Sequence, residues 1–366
     1  MLDADFEVDR REFTVRAAVS VAPGERLALF GPSGAGKTTI LEAIAGLVPP
    51  RRGRITLNER VLTQTAAPAR RPAEGAAVGS AAAPGRRTRP GLAVPPWQRR
   101  VGLLRQDPGL FPHLSVRANL GYAPTADSSA LAGLADLLEI GDLLPAMPAR
   151  LSGGQAHRVA LGRLLMADCD ALLLDEPYSG LDAALRRALT ALVLRLVEDR
   201  GLPTIMVAHE LPDAQAFASR LAVIDRGVLL QTGTPHEVVL RPASRRVAEL
   251  VGYLGFVPAS AAESAEAGPA PGAGVIAVHP DRVIPGVHPG RGVVLAGPMT
   301  ACRPAGAGWE VDLQVGPATV VARLADPPAP ADGRLVLTAL DPPRFGPTGT
   351  ALPPPGRPLR PASPAR

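Results

Sequence analysis

The chain has 366 residues, enough for two or three domains, and its 41 prolines and 38 glycines are too many for one compact fold. Its net charge is only +5 and 3% of residues are aromatic, with no basic stripe interleaved with aromatics, which argues against nucleic-acid binding. Cys169 and Cys302 form no metal motif or disulfide framework, the acidic start lacks a signal-peptide core, and no run of about 18 apolar residues offers a membrane span, so a cytoplasmic chain is expected.

Residues 6–21 alternate as two short antiparallel strands that end at the turn Ala22-Pro23-Gly24-Glu25. Residues 27–39, L-A-L-F-G-P-S-G-A-G-K-T-T, then pass from an apolar strand through a glycine-rich loop into a helix that stops near Gly46. Gly31, Gly34 and Gly36 lack the Cβ that would keep the backbone from wrapping its N–H groups around a polyphosphate, and the helix points its positive end at the same place. Pro32, Ser33, Ala35 and Thr39 complete this phosphate loop. Lys37 is placed to reach the β- and γ-phosphates and Thr38 to hold Mg²⁺. Lys37 is also the only lysine among 39 basic residues, a compact charge on a flexible stem where a planar guanidinium would not serve.

Residues 54–58 read as a further strand. Residues 65–95 form a low-complexity insertion with almost no large apolar side chains, expected to be mobile. Order resumes with a strand that ends at Gln106, followed by helical patterns over 116–120 and 130–144. Leu151-Ser152-Gly153-Gly154-Gln155 opens a helix running to Ala167. Residues 171–175 are a wholly apolar strand that delivers Asp175 and Glu176 at its end, the pattern of a buried parallel strand. A helix from Asp182 to about Arg200, a second apolar strand over 203–208 presenting His209, and a hairpin around Arg226-Gly227 complete a doubly wound α/β domain. Helical pattern persists over 235–255, and 259–273 is an alanine-, glycine- and proline-rich linker. Short β-like runs fill 275–340, and the tail from Phe345 is expected to be disordered.

The ordered set of phosphate loop, Gln106, L-S-G-G-Q at 151–155, Asp175-Glu176, Asp182 and His209 resembles the ATP-binding subunit of ATP-binding-cassette (ABC) transporters over residues 1 to about 240. The segment R-R-V-G-L-L-R-Q-D-P-G-L-F-P-H-L-S-V-R-A-N-L-G-Y is most similar to molybdate importer ATPases. The resemblance implies a P-loop NTPase cassette over 1–240, with a RecA-like core, an antiparallel β layer and a helical subdomain at about 108–152. A helix and linker over 241–273, a small all-β OB-like (TOBE/Mop-like) domain over 274–342 and a disordered tail over 343–366 would follow.

In-line phosphoryl transfer to water needs charge neutralisation, a metal bridging the β- and γ-oxygens and a carboxylate to deprotonate the water. Glu176 is expected to be the general base, and His209 to contact the γ-phosphate and brace the glutamate. Thr38, Asp175 and Gln106 are expected around Mg²⁺. The resemblance implies a head-to-tail homodimer in which ATP lies between the phosphate loop of one chain and Ser152, Gly153, Gly154 and Gln155 of the other, with Asp182 along the interface. It also implies integral-membrane permease subunits, whose helix would enter a groove formed by residues 110–113, and indirectly a solute-binding protein, all at the cytoplasmic face of the membrane. The family usually stacks adenine on an aromatic residue near positions 8–11; here Phe13, Phe6, Arg10 and Arg11 are the candidates. Ala156-His157 follows Gln155 where the family would have a glutamine at the second position; His157 either keeps a polar role or is simply exposed. Import of sulfate, ferric iron, polyamines or sugars is an alternative to molybdate, and a soluble non-transport clamp is a remote one.

Overall fold

The computed structural model describes residues 1–65, 91–123, 128–264, 268–269, 274–288, 292–328 and 333–352. They divide into two units, Met1–Pro235 and His236–Arg366. The centre of the 65–95 insertion and the end of the tail lie outside the described residues.

In the first unit β1 (Leu2–Asp9) and β2 (Thr14–Val21) pair along their whole length, Leu2 opposite Val21 and Asp9 opposite Thr14. Their alternation puts Leu2, Ala4, Phe6 and Val8 on the buried face, as period-two patterning requires. β3 (Arg26–Phe30) leads into α1 (Lys37–Ala45). β4 (Arg52–Leu57), β5 (Arg60–Gln64) and β6 (Leu92–Ala93) extend the antiparallel layer at one edge. β7 (Val101–Leu104) precedes three helices, α2 (Val116–Leu120), α3 (Ser128–Leu137) and α4 (Gly153–Leu165). β8 (Ala171–Asp175), α5 (Ala183–Arg200), β9 (Thr204–Ala208), α6 (Leu211–Phe217), β10 (Arg220–Asp225) and β11 (Val228–Gly233) close the unit. All eleven strands form one sheet in the order β6-β5-β4-β1-β2-β11-β10-β3-β9-β8-β7. From β10 to β7 every neighbouring pair is parallel, so β3, β9, β8 and β7 end at one edge of the sheet.

This is the P-loop α/β cassette expected, a parallel core beside an antiparallel layer with a helical segment between β7 and β8, and several boundaries differ from the sequence reading. The helix expected over 130–144 ends at Leu137, because Glu139 takes a left-handed φ of 53° and the Ile140 amide turns back to the Ala135 carbonyl at 2.9 Å. The insertion read from 65 to 95 is shorter among the described residues: Leu92 and Ala93 pair with Gln64 and Thr63, and Val94 donates to the Leu62 carbonyl. Leu211–Phe217 adds a helix that the sequence reading left out.

Arg99 ties this corner together. It is 3% exposed and meets no carboxylate among the described residues; Nη1 donates to the Ile44 carbonyl (2.8 Å), Nε to the Val94 carbonyl (2.8 Å) and Nη2 to Thr63 Oγ1 (2.8 Å). The α1 carbonyls are the negative end of a helix, so they stabilise the charge that burial disfavours.

The second unit begins with two short helices, α7 (Pro235–Leu240) and α8 (Arg245–Leu250), and is otherwise all β. Val283–Pro285, Gly292–Ala305, Gly308–Val315, Ala318–Leu324 and Arg334–Leu340 form one sheet system around Leu295, Val311, Leu313, Val320 and Leu337, each fully buried. A second sheet orders Gly255–Pro258, Val275–Val278, Arg344–Phe345 and Ala351–Leu352. Two readings are therefore corrected. Residues 255–258 are a paired strand within the stretch read as helix and linker over 241–273, and residues 344–345 are a strand rather than the start of a disordered tail, with Phe345 fully buried opposite Val275. Proline and glycine density hid both, because two- to four-residue strands owe their order to distant partners.

Replacing Arg99 with Met should destabilise the first unit by about 3–5 kcal/mol, since it orphans buried acceptors at a helix end and on two neighbouring segments. Chemical denaturation of the full chain measures this; a change below about 1 kcal/mol would show that Arg99 is not a structural tie.

Candidate nucleotide site at the carboxyl edge of the parallel strands

Four neighbouring strands deliver the motifs to one edge. Phe30 of β3 lies opposite Ala208 of β9, and Val207 of β9 opposite Asp175 of β8. Gly31 therefore follows one strand, His209 the next and Glu176 the third, while Gln106 stands two residues beyond the end of β7. This is the edge at which open α/β sheets bind ligands.

The phosphate loop is shaped by packing as well as by its own flexibility. A Cβ on Gly31 would lie 2.0 Å from the Ile224 carbonyl oxygen, so glycine is required there by the neighbouring β10. Gly34 has φ 77° and nothing within 4 Å of its would-be Cβ, which leaves open space in front of the loop. Gly36 caps α1 with φ 103°, and the helix has no side-chain cap and no acidic residue in its first turn. Its leading N–H groups are therefore left for an anion, as the sequence reading requires.

Lys37 is 6% exposed, and its Nζ donates to the carbonyls of Gly31 (2.7 Å) and Pro32 (2.9 Å). Burial pushes its pKa down, and Glu176 and Asp175 oppose that shift by their charge. Asp175 is 3% exposed; burial raises its carboxyl above the ordinary range, against which the neighbouring Thr38 hydroxyl acts. The set is thus a buried cation, a buried carboxylate, a hydroxyl and an open helix start. Among the described residues no cluster of three or more His, Cys, Asp or Glu could cage a metal by itself. A hydroxyl and one carboxylate do fit Mg²⁺, a hard cation that keeps waters and takes its remaining oxygens from phosphate.

Glu176 is half-buried and sits in the left-handed region at φ 51°, an unusual backbone for a residue with a Cβ. Its amide donates to the Val207 carbonyl (3.2 Å), and its carbonyl accepts from Ser179 (3.2 Å). His209 and Gln106 are exposed, and no side-chain hydrogen bond joins either of them to Glu176 among the described residues.

The second expected anion site is built differently. Ser152 Oγ accepts from the Gln155 amide (3.3 Å), and Gln155 Oε1 accepts from the Ser152 amide (2.9 Å), a complete capping box on α4. The Ser152 hydroxyl hydrogen and the Gly153 and Gly154 amides remain for a ligand. Asp182 caps α5, accepting from Ala184 (2.8 Å) and Leu185 (3.0 Å), and these amides lower its pKa. It is a helix cap whatever else it touches.

Among the adenine-stacking candidates, Phe6 is 1% exposed and belongs to the core, which removes it. Phe13 packs beside the phosphate loop, 3.6 Å from the would-be Cβ of Gly36. Arg10 donates to Thr39 Oγ1 through Nε (2.8 Å) and Nη2 (2.5 Å) and to Glu42 (3.4 Å). His157 is not exposed but buried, a placement no sequence signal announced. Beyond Gln106, the Phe111 and Tyr122 rings lie tilted against each other at 4.3 Å with Arg163 4.9 Å over the Phe111 ring, lining a groove of about 420 Å³ with Leu104 and Arg105.

Fold and motif order define a P-loop α/β domain of the nucleoside-triphosphatase type. Residues 16–179 match the family model described as ABC transporter, and the first unit is an ATP-binding domain of that family. The chain is 39% identical over 247 residues to "Fe(3+) ions import ATP-binding protein FbpC" of Pseudomonas fluorescens, covering 66% of this chain and 63% of that protein. It is 37% identical over 245 residues to "Molybdenum import ATP-binding protein ModC" of Mycobacterium tuberculosis, covering 64% of this chain and 60% of that one. The match thus spans less than two thirds of these relatives' lengths. A solved structure titled "Structure of ATP binding subunit of ABC transporter" superposes with a TM-score of 0.52 at 23% identity, over 69% of this chain and 94% of that one, and shows the shared fold.

Gly31→Ala should cost more than Gly34→Ala, about 1–3 kcal/mol or more against about 1 kcal/mol or less, because only the former meets a backbone oxygen. Equal losses on denaturation would contradict the packing account of the loop.

Proposed function

We propose that this chain is the ATP-hydrolysing subunit of an ABC importer, in which ATP binding closes a homodimer and hydrolysis reopens it. The observation that carries the reading is the meeting of the phosphate loop, Asp175-Glu176, His209 and Gln106 at one sheet edge. Gly31, Pro32, Ser33, Gly34, Ala35, Gly36 and Thr39 cradle the polyphosphate with backbone N–H groups, and Lys37 turns from its own loop carbonyls to the β- and γ-oxygens. Thr38, Asp175 and Gln106 would hold Mg²⁺, which would supply charge neutralisation to the polyphosphate. Glu176 orients the attacking water and takes its proton as the bond from the γ-phosphorus to the ADP oxygen breaks. His209 holds a γ-oxygen and keeps Glu176 aimed.

Ser152, Gly153, Gly154 and Gln155 complete the site of a second, head-to-tail copy, and Asp182 borders that interface. This accounts for two anion-ready helix starts in a chain with one phosphate loop. The groove at Phe111 and Tyr122 receives a helix of a membrane permease. Among the described residues no helix is long and apolar enough to cross a membrane, which suits a peripheral subunit on the cytoplasmic face. A solute-binding protein then acts through the permease.

The transported solute is molybdate or a related oxyanion, supported by the 99–122 segment, the likeness to "Molybdenum import ATP-binding protein ModC" and the β sheets of the second unit. Ferric iron is the second reading, favoured by the likeness to "Fe(3+) ions import ATP-binding protein FbpC". ATPase activity of the chain with its permease, measured with binding proteins loaded with each solute, separates the two.

Glu176→Gln should lower turnover by about 10²–10⁴-fold while keeping ATP bound, and should elute as a dimer with ATP and Mg²⁺. An ATP-bound monomer on size exclusion would contradict the closing step.

A further inference from the structure

His157 follows Gln155 by two residues on α4 and lies one turn beyond Gly153, on the same face of the helix. It is 6% exposed, and its Nε2 stands 3.2 Å from the Pro177 carbonyl oxygen. A carbonyl only accepts, so Nε2 must carry the proton; burial keeps the ring neutral by lowering its pKa, which leaves Nδ1 bare. Pro177 is itself buried and directly follows Glu176, whose left-handed backbone at φ 51° is held between the Val207 carbonyl and the Ser179 amide. The residue that secures this turn from outside the strand is therefore on the helix that begins with Ser152-Gly153-Gly154.

We propose that His157 is a positioning residue that fixes the Glu176 turn through Pro177 and so links the anion-ready start of α4 to the base carboxylate of the same chain. The inference rests on the function proposed above. In a head-to-tail dimer the two ends of this link serve different nucleotides: the α4 start contacts the ATP held by the partner, and Glu176 acts on the chain's own. A shift of α4 on meeting one γ-phosphate is then passed by one hydrogen bond to the base at the other, so that occupancy of one site tunes hydrolysis at its twin. A side chain of another shape can serve if it presents an N–H to the Pro177 oxygen. An apolar one leaves a buried carbonyl without a donor and frees the turn.

The test compares His157→Gln with His157→Leu in the full-length chain, reading kcat, KM for ATP and the Hill coefficient, with thermal melting as the control for folding. Gln should keep kcat within about threefold and keep the Hill coefficient of the parent. Leu should lower kcat about tenfold or more with KM little changed, and bring the Hill coefficient toward about 1. His157→Asn, whose amide is too short to reach, should behave as Leu does and serves in its place if Leu does not fold. Equal kinetics for Gln and the non-donating variant, or a loss confined to melting temperature, overturns the link. A parent chain that hydrolyses no ATP overturns the underlying reading instead, so the two failures are told apart.

Discussion

A buried cation beside an uncapped helix start is the constraint on which the first unit depends. Lys37 is nearly sealed from solvent, and its ammonium is met by two carbonyls of its own loop and the charge of Asp175 and Glu176 nearby. Taking such a charge out of water is costly unless something anionic answers it. The α1 start adds unsatisfied N–H groups at the same spot, and Asp175 adds a carboxylate that burial pushes toward neutrality. Asp175 and Glu176 offset the Lys37 charge within the chain, and the α1 N–H groups, with no side-chain cap, are where the proposed polyphosphate would complete the set.

Holding those groups together falls to the sheet. The strands 171–175 and 204–208 are legible in sequence because both faces are covered and their polar residues, Asp175 and Thr204, stand only at the ends; all ten residues are buried in the structure. Their C-terminal residues and the phosphate loop were readable for the same reason. Leu92–Ala93, Gly255–Pro258 and Arg344–Phe345 escape because each is short and acquires its order from a strand well separated in sequence, while Arg60–Gln64 is a short hairpin arm on Arg52–Leu57 with polar residues at both ends. The same holds at the site. The motif residues were legible by type and spacing, while the removal of Phe6 as a base platform, the hold of Arg10 on Thr39 and the burial of His157 depend on which face turns inward, and no local pattern reports that.

Three residues assigned to ligand chemistry in the sequence also have structural roles. Gly31 is demanded by the Ile224 carbonyl, and Asp182 and Ser152 are helix caps with their acceptors in use. Such double service explains how a site can be preformed: the groups that would meet phosphate are already oriented by bonds to the backbone, so little ordering is left for the ligand to accomplish. The second unit contributes a separate apolar core of Leu295, Val311, Leu313 and Leu337 and is a body in its own right.

The central claim is that each nucleotide lies between the phosphate loop of one chain and the α4 start of another. The most direct measurement is crosslinking, in a Cys302→Ser background, of a Ser33→Cys chain mixed with a Gly153→Cys chain under oxidising conditions with ATP and Mg²⁺. Both positions are exposed, and a Cβ at Gly153 meets nothing within 4 Å. A covalent dimer that forms in the mixture with ATP, and in neither chain alone, is the result the account requires. No ATP-dependent crosslink, or an equal yield from either variant by itself, would contradict it.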